Sequence, residues 1–141
     1  MTIRSGSARY SGLGQSGKGW VSTQSGVLKD QPYGFGMRFG EDPGTNPEEL
    51  IAAAHASCFT MALSMALSRA DFTDGELNTT AKVTLEKTDA GFTVTKSALS
   101  LEARIPGISE EQFAEIADGA KAGCPISRLL NAEITLERKL V

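Results

Sequence analysis

Two thiols, Cys58 and Cys124, are the most reactive side chains in this sequence. A thiolate attacks electrophiles such as peroxides and disulfides; the protonated thiol does not. A second thiol adds a step, because a sulfenic acid formed on one cysteine is resolved by the other as a disulfide. Their distance along the chain leaves their distance in space open. Cys124 stands between Gly123 and Pro125, so it falls near a helix N-terminus, where unpaired N–H groups and the dipole favour a thiolate. Cys58 lies three residues after His55 among Ala, Leu and Met, and taken alone it reads as a small buried hydrophobe.

Three further residues carry polar chemistry. Arg38 stands near the end of the aromatic, glycine-rich stretch Pro32-Tyr33-Gly34-Phe35-Gly36-Met37-Arg38-Phe39, and in isolation reads as a solvated surface group. Glu48 suits the first turn of a helix, where the macrodipole favours anions. His55 is most economically a buried imidazole with satisfied nitrogens. With Cys58 at i, i+3 it offers two ligands where tetrahedral zinc takes four, so neither metal nor cofactor is expected.

These residues need a scaffold. The chain has 141 residues, the size of one domain covering 1–141. Its 14 basic residues are outnumbered by 17 acidic ones, and six Phe, two Tyr and one Trp complete a sparse aromatic set. Without a basic surface or a stacking platform, nucleic-acid binding is excluded. The N-terminal residues lack the apolar run of a secretory signal, so a cytoplasmic location is expected. Thiols stay reduced there, and paired cysteines are more often reactive than structural.

The strongest element signal is Gly44-Thr45-Asn46-Pro47-Glu48-Glu49, with a capping Asn, a first-position Pro and two first-turn carboxylates. Residues 50–67 follow as LIAAAHASCFTMALSMAL, apolar except for His55, Ser57, Thr60 and Ser64. That length approaches a membrane span, but the flanks and the load of Ala and Ser argue for the core helix of a soluble protein. A chain this small cannot surround so long an apolar helix, so a second copy is its natural cover and a homodimer is expected.

Short strands are predicted at residues 19–23 and 26–28, with residues 32–40 an irregular edge or loop. Residues 76–87 and 92–105 alternate with period two on either side of the turn Thr88-Asp89-Ala90-Gly91. Ser109, with Gln112 three residues on, opens a helix that ends near Gly123. A shorter helix begins at Cys124-Pro125, and residues 132–140 close as a strand. Strands joined by tight turns with helices in blocks predict an α+β fold with a mainly antiparallel sheet.

The segment Gly44-Thr45-Asn46-Pro47-Glu48-Glu49-Leu50-Ile51-Ala52-Ala53-Ala54-His55-Ala56-Ser57-Cys58-Phe59 resembles the signature helix of the OsmC/Ohr family of thiol peroxidases. Lys121-Ala122-Gly123-Cys124-Pro125-Ile126-Ser127 resembles that family's second cysteine motif. Gly17-Lys18-Gly19, Val21-Ser22-Thr23-Gln24-Ser25-Gly26-Val27-Leu28 and Gln31-Pro32-Tyr33-Gly34-Phe35 are similar to the OsmC branch. The likeness spans essentially the whole chain.

The resemblance implies an intertwined homodimer whose mainly antiparallel sheet packs on two long central helices, with active sites at the dimer interface. It implies reduction of organic hydroperoxides, and less effectively of hydrogen peroxide, in oxidative-stress defence. An external thiol or dithiol would be the reductant, with no nucleic-acid or membrane partner. Carried over residue by residue, Cys58 is the peroxidatic thiolate and Cys124 the resolving thiol. Arg38 favours the Cys58 thiolate, and Glu48 holds Arg38. Arg9 is an outside candidate for the arginine, which the Ohr branch draws from nearer the N-terminus.

Each implied role has a physical basis. Burial in an apolar helix favours the neutral thiol, so Cys58 needs a fixed cation beside it. Arginine suits better than lysine, because its planar fork holds a carboxylate while still facing the sulfur. Phe35, Phe39, Met61 and Ile126 are expected to line a pocket for the peroxide's organic tail. Ten residues separate Glu48 from Cys58, which puts them roughly 80° apart around a helix, so Glu48 must meet the arginine from the side. Asp71 stands where the family often has Gly, and is expected to remove a favoured left-handed cap. Two other classes fit the same residues: a non-catalytic small-ligand binder using the dimer-interface pocket, with unactivated thiols, and a structural stress protein, with inaccessible ones.

Overall fold

A computed structural model describes residues 1–141. The chain divides into two compact units, Met1–Leu50 and Ile51–Val141.

In the first unit, β1 (Gly6–Ser11), β2 (Lys18–Thr23) and β3 (Gln31–Tyr33) form an antiparallel sheet in that order. Gly19 of β2 is fixed by crowding, since a Cβ there would lie 2.6 Å from the Tyr33 ring and 2.9 Å from the Tyr10 ring. Its absence lets those rings meet edge to face at 6.0 Å. Residues 26–28, predicted as a strand, instead belong to a turn. Gly26 takes φ 78°, its N–H donates to Thr23 O at 2.9 Å, and Thr23 N–H donates to Leu28 O at 2.9 Å. The stretch predicted as an irregular edge or loop contains β3 and a short helix, α1 (Phe35–Phe39), which the Arg38 N–H closes onto Gly34 O at 3.1 Å.

The long helix α2 (Pro47–Arg69) begins where the capping signals predict. Glu49 N–H donates to Asn46 Oδ1 at 2.8 Å, and the Asn46 amide donates to Met37 O at 3.1 Å, tying the helix start to α1. The boundary between the units falls inside α2.

In the second unit, α2 buries His55, Phe59, Leu63 and Leu67, a stripe at four-residue spacing. The sheet is built from β4 (Glu76–Thr88), β5 (Gly91–Arg104) and β6 (Glu133–Leu140), in that order. β4 and β5 form an antiparallel hairpin that turns through Gly91 at φ 104°. β6 returns parallel to β5, which the crossover through α3 (Glu110–Gly123) and α4 (Pro125–Leu129) makes possible. Alternation along β5 buries Ser97, Leu99, Leu101 and Ala103 on one face. Phe113, Ala117 and Ala120 of α3 join Phe59, Leu63 and that face to form the core. Ser109 Oγ accepts from Gln112 N–H at 3.1 Å, the cap expected for α3.

The end of α2 corrects one expectation. Asp71 itself adopts the left-handed conformation at φ 68°. Phe72 N–H donates to Leu67 O at 2.9 Å and Asp71 N–H to Ser68 O at 3.0 Å, the paired bonds of a Schellman cap. The cap survives because aspartate tolerates this backbone region better than most residues.

Candidate active site

Cys58 sits mid-helix on α2, partly exposed, and Cys124 is the fully buried N-cap of α4. Both thiols are free, and they lie close enough for each to shift the other's acidity. The packing of α2, α3 and α4 on one sheet thus brings together two sulfurs that lie far apart in sequence.

Their acidities diverge for a local reason. Burial pushes the Cys58 thiol up, the hydrogen bond and charge of Cys124 push it further, and only the Ile126 N–H opposes them. Burial also acts upward on Cys124, but the bond from Cys58, the N–H and hydroxyl of Ser127, and the Ile126 N–H together hold it below the ordinary thiol value. A helix cap offers unpaired N–H groups to a sulfur, whereas the interior of α2 has none to spare. Cys124 is therefore the more acidic thiol of this pair, and these neighbours supply no cation to Cys58.

His55 is the satisfied, buried imidazole expected. Its Nδ1 lies 2.6 Å from Ser97 Oγ and its Nε2 lies 2.7 Å from Ser127 Oγ. Burial lowers its pKa, which keeps the ring neutral. Ser97 and Ser127 were not singled out from the sequence. Ser97 shares the inward register of Leu99 on β5, and Ser127 lies three residues after Cys124, the spacing at which a first-turn residue faces its N-cap. No group of three or more His, Cys, Asp and Glu side chains is arranged to hold a metal ion.

In the first unit, Arg38 and Glu48 meet as a fork. Arg38 Nη2 donates to Glu48 Oε1 at 2.6 Å, and Nε lies 3.1 Å from both carboxylate oxygens. Glu48 is nearly buried, whereas Arg38 keeps 37% of its side-chain surface exposed. Arg38 lies beside a cleft of about 340 Å³ whose lining includes Tyr10, Tyr33, Phe35 and Phe39. Two of the four aromatic and aliphatic residues expected to line a pocket, Phe35 and Phe39, line this one. Their rings pack at 4.9 Å. Ile126 packs against the core of the second unit and Met61 stands exposed on α2. Arg9, the outside candidate, lies over the Trp20 ring at 4.0 Å in a cation–π stack.

The family model described as OsmC-like protein matches residues 40–139. The chain belongs to the OsmC family. It is 56% identical over 141 residues to Peroxiredoxin OsmC of Escherichia coli (strain K12), covering 99% of each chain. It is 32% identical over 100 residues to organic hydroperoxide resistance protein OhrA of Bacillus subtilis (strain 168), covering 68% of each. The crystal structure of the organic hydroperoxide resistance protein OhrB of Bacillus subtilis superposes with a TM-score of 0.73 at 26% identity, covering 98% of both chains. The α+β fold is thus that of OsmC and Ohr proteins, as the cysteine motifs implied. Both cysteines and Glu48 fall within the matched residues, and Arg38 lies just before them.

Proposed function

We propose that this OsmC-family chain is a thiol peroxidase that reduces organic hydroperoxides, and hydrogen peroxide less well, in defence against oxidative stress. The single observation that carries the two-cysteine mechanism is the proximity of two free thiols, Cys58 and Cys124, close enough for each to shift the other's acidity. The names of its relatives, a peroxiredoxin and organic hydroperoxide resistance proteins, support the same chemistry.

In this reading the Cys58 thiolate attacks the peroxide. An S–O bond forms, the O–O bond breaks, and the alkoxide leaves and takes a proton to become an alcohol. Cys58 is left as a sulfenic acid. Cys124 then attacks the Cys58 sulfur, forming the S–S bond and expelling water, which prevents further oxidation. An external thiol or dithiol reduces the disulfide by exchange.

Arg38 is the cation this scheme requires, held in orientation by Glu48. A guanidinium lowers the cost of the Cys58 thiolate and stabilises the charge that grows on the leaving alkoxide. The apolar cleft beside Arg38 suits a hydrocarbon tail.

The active form in this reading is a homodimer, with the whole of residues 1–141 as one domain. Its support is the face of α2 opposite the buried stripe, where Ala53, Ser57, Met61 and Met65 stand exposed on one chain. A second copy covers that face at ordinary hydrophobic gain. α2 has the length and apolarity of a membrane span. Its buried stripe supports a water-soluble core helix instead, and we assign the protein to the cytoplasm.

The test is a stopped-flow comparison of wild type with Cys58→Ser, using cumene hydroperoxide and hydrogen peroxide. Cys58→Ser abolishes consumption of both, and wild type reacts faster with the organic peroxide. Peroxidase activity retained in Cys58→Ser rejects the assignment.

A further inference from the structure

The His55 ring is enclosed between two serine hydroxyls. Ser97 Oγ of β5 lies 2.6 Å from Nδ1, and Ser127 Oγ of α4 lies 2.7 Å from Nε2. His55, Ser97 and Cys124 are all fully buried. Ser127 stands in the first turn of α4, three residues after its N-cap Cys124, the spacing that turns a residue toward its cap, and it lowers the pKa of that thiol. One hydroxyl therefore binds the imidazole and acts on the resolving thiol.

We propose that His55, acting through the Ser127 hydroxyl, accepts the proton of Cys124 and so sets the rate at which Cys124 closes the disulfide. The proposal rests on the two-cysteine reading above, and makes His55 and Ser127 positioning residues for its second step.

Proton counting gives the relay its direction. A neutral imidazole has one N–H and one lone pair. With Nδ1–H donating to Ser97 Oγ, Nε2 accepts the Ser127 O–H, and Ser127 Oγ accepts the Cys124 S–H. Shifting each proton one place leaves a Cys124 thiolate that accepts from Ser127 O–H. The imidazolium then donates to both serine oxygens. The thiolate attacks the sulfenic acid of Cys58: the S–S bond forms, the S–O bond breaks, and the departing hydroxide takes up a proton as water. His55 releases its proton and returns to the neutral ring, so the overall products are one disulfide and one water.

The surroundings suit a transient charge. Of the titratable groups on α2, Cys58 acts on Cys124 directly and His55 reaches it through Ser127. α4 contributes the uncharged Ile126 and Ser127, α3 the Ala120 carbonyl that accepts Cys124 N–H, and β5 the uncharged Ser97. Burial disfavours a standing imidazolium, so the ring returns its proton once the thiolate is consumed.

The experiment has two arms. In a Cys58→Ser background, the Cys124 thiolate is titrated by its ultraviolet absorbance with Ser127, Ser127→Ala or Ser127→Thr. Ser127→Ala moves the midpoint upward by about one pH unit, the worth of one hydrogen bond to a charged group, and Ser127→Thr restores it. In the two-cysteine protein, a stoichiometric pulse of cumene hydroperoxide is followed by quenching and mass spectrometry. Ser127→Ala still forms the Cys58 sulfenic acid but closes the disulfide about tenfold more slowly at neutral pH. The deficit disappears in alkali, where Cys124 ionises unaided. His55→Gln slows closure likewise; should it fail to fold, the serine variants carry the test. An unchanged Cys124 titration together with an unchanged closing rate in Ser127→Ala overturns the relay and leaves the peroxidase reading intact. Absence of any Cys58 sulfenic acid in wild type overturns the peroxidase reading, and the relay with it.

Discussion

Arg38 Nη2 lies 2.6 Å from Glu48 Oε1 while its Nε is shared between both oxygens of the same carboxylate. The fork spends part of the guanidinium on Glu48 and leaves the Nη1 edge to face other groups. Removing the acceptor loosens that orientation without removing the cation. Glu48→Gln therefore lowers the second-order rate of Cys58 oxidation by about tenfold. Arg38→Lys, which cannot form the fork, falls similarly, and Arg38→Ala falls by about a hundredfold. Stopped-flow reaction with cumene hydroperoxide measures all three. Wild-type rates in Arg38→Ala would remove Arg38 from the mechanism.

Replacing Cys124, the proposed resolving thiol, separates the two chemical steps. Without added thiols both proteins take up one equivalent of peroxide per chain, but wild type ends as the Cys58–Cys124 disulfide whereas Cys124→Ser stops at the Cys58 sulfenic acid. Excess peroxide carries its Cys58 to sulfinic acid. Mass spectrometry after trapping with dimedone reads the sulfenic state directly. A Cys58 sulfenic acid that persists in wild type as long as in Cys124→Ser contradicts the pairing of the two thiols.

His55 makes stability depend on pH. Burial holds its folded pKa below the ordinary value of about 6.5, so the unfolded chain binds the proton first as pH falls. The stabilisation is complete above that ordinary value and is lost as pH drops through the folded pKa. Wild type accordingly loses Tm more steeply than His55→Gln as pH falls below about 6.5. Scanning calorimetry across that window decides the point; equal slopes would show that His55 is not the group responsible.

Asp71 holds the αL position of the α2 cap at φ 68°, a conformation that costs an L-residue with a side chain more than it costs glycine. Asp71→Gly keeps the two cap hydrogen bonds and relieves that cost, raising stability by up to about 1 kcal/mol. Asp71→Val lowers stability, because a β-branched side chain fits this region worst. Urea denaturation of both variants measures the pair, and a destabilised Asp71→Gly would refute the account.

The cleft beside Arg38 predicts a selectivity change. Phe39→Ala removes an aromatic wall but no charged group, so turnover of cumene hydroperoxide falls by about tenfold while that of hydrogen peroxide stays within about twofold. Equal loss with both peroxides would assign Phe39 to structure alone.

Much of this was legible in the sequence because the signals are local. Asn46, Pro47 and the two glutamates announced α2, Ser109 with Gln112 announced α3, and period-two alternation announced β4 and β5. Cys124 between Gly123 and Pro125 already read as a helix cap. Residues 26–28 misled because a short apolar stretch after Gly26 looks like a strand, whereas the closing bonds between Thr23 and Leu28 make a turn. Asp71 misled because a missing glycine was equated with a missing cap, although aspartate tolerates the same backbone region.

What only the tertiary structure decided is which distant groups touch. Cys58 reaches Cys124 because α2 and the crossover helices pack on one face of a sheet, and no spacing rule encodes that meeting. The same packing set Ser97 and Ser127 against the two nitrogens of His55, though neither serine carries a sequence signal of its own. It also made the cap thiol the more acidic of the two, since hydrogen-bond donors depend on which backbone ends lie nearby. Sequence determines what each segment does with its own neighbours; contacts between segments depend on how all of them share one core.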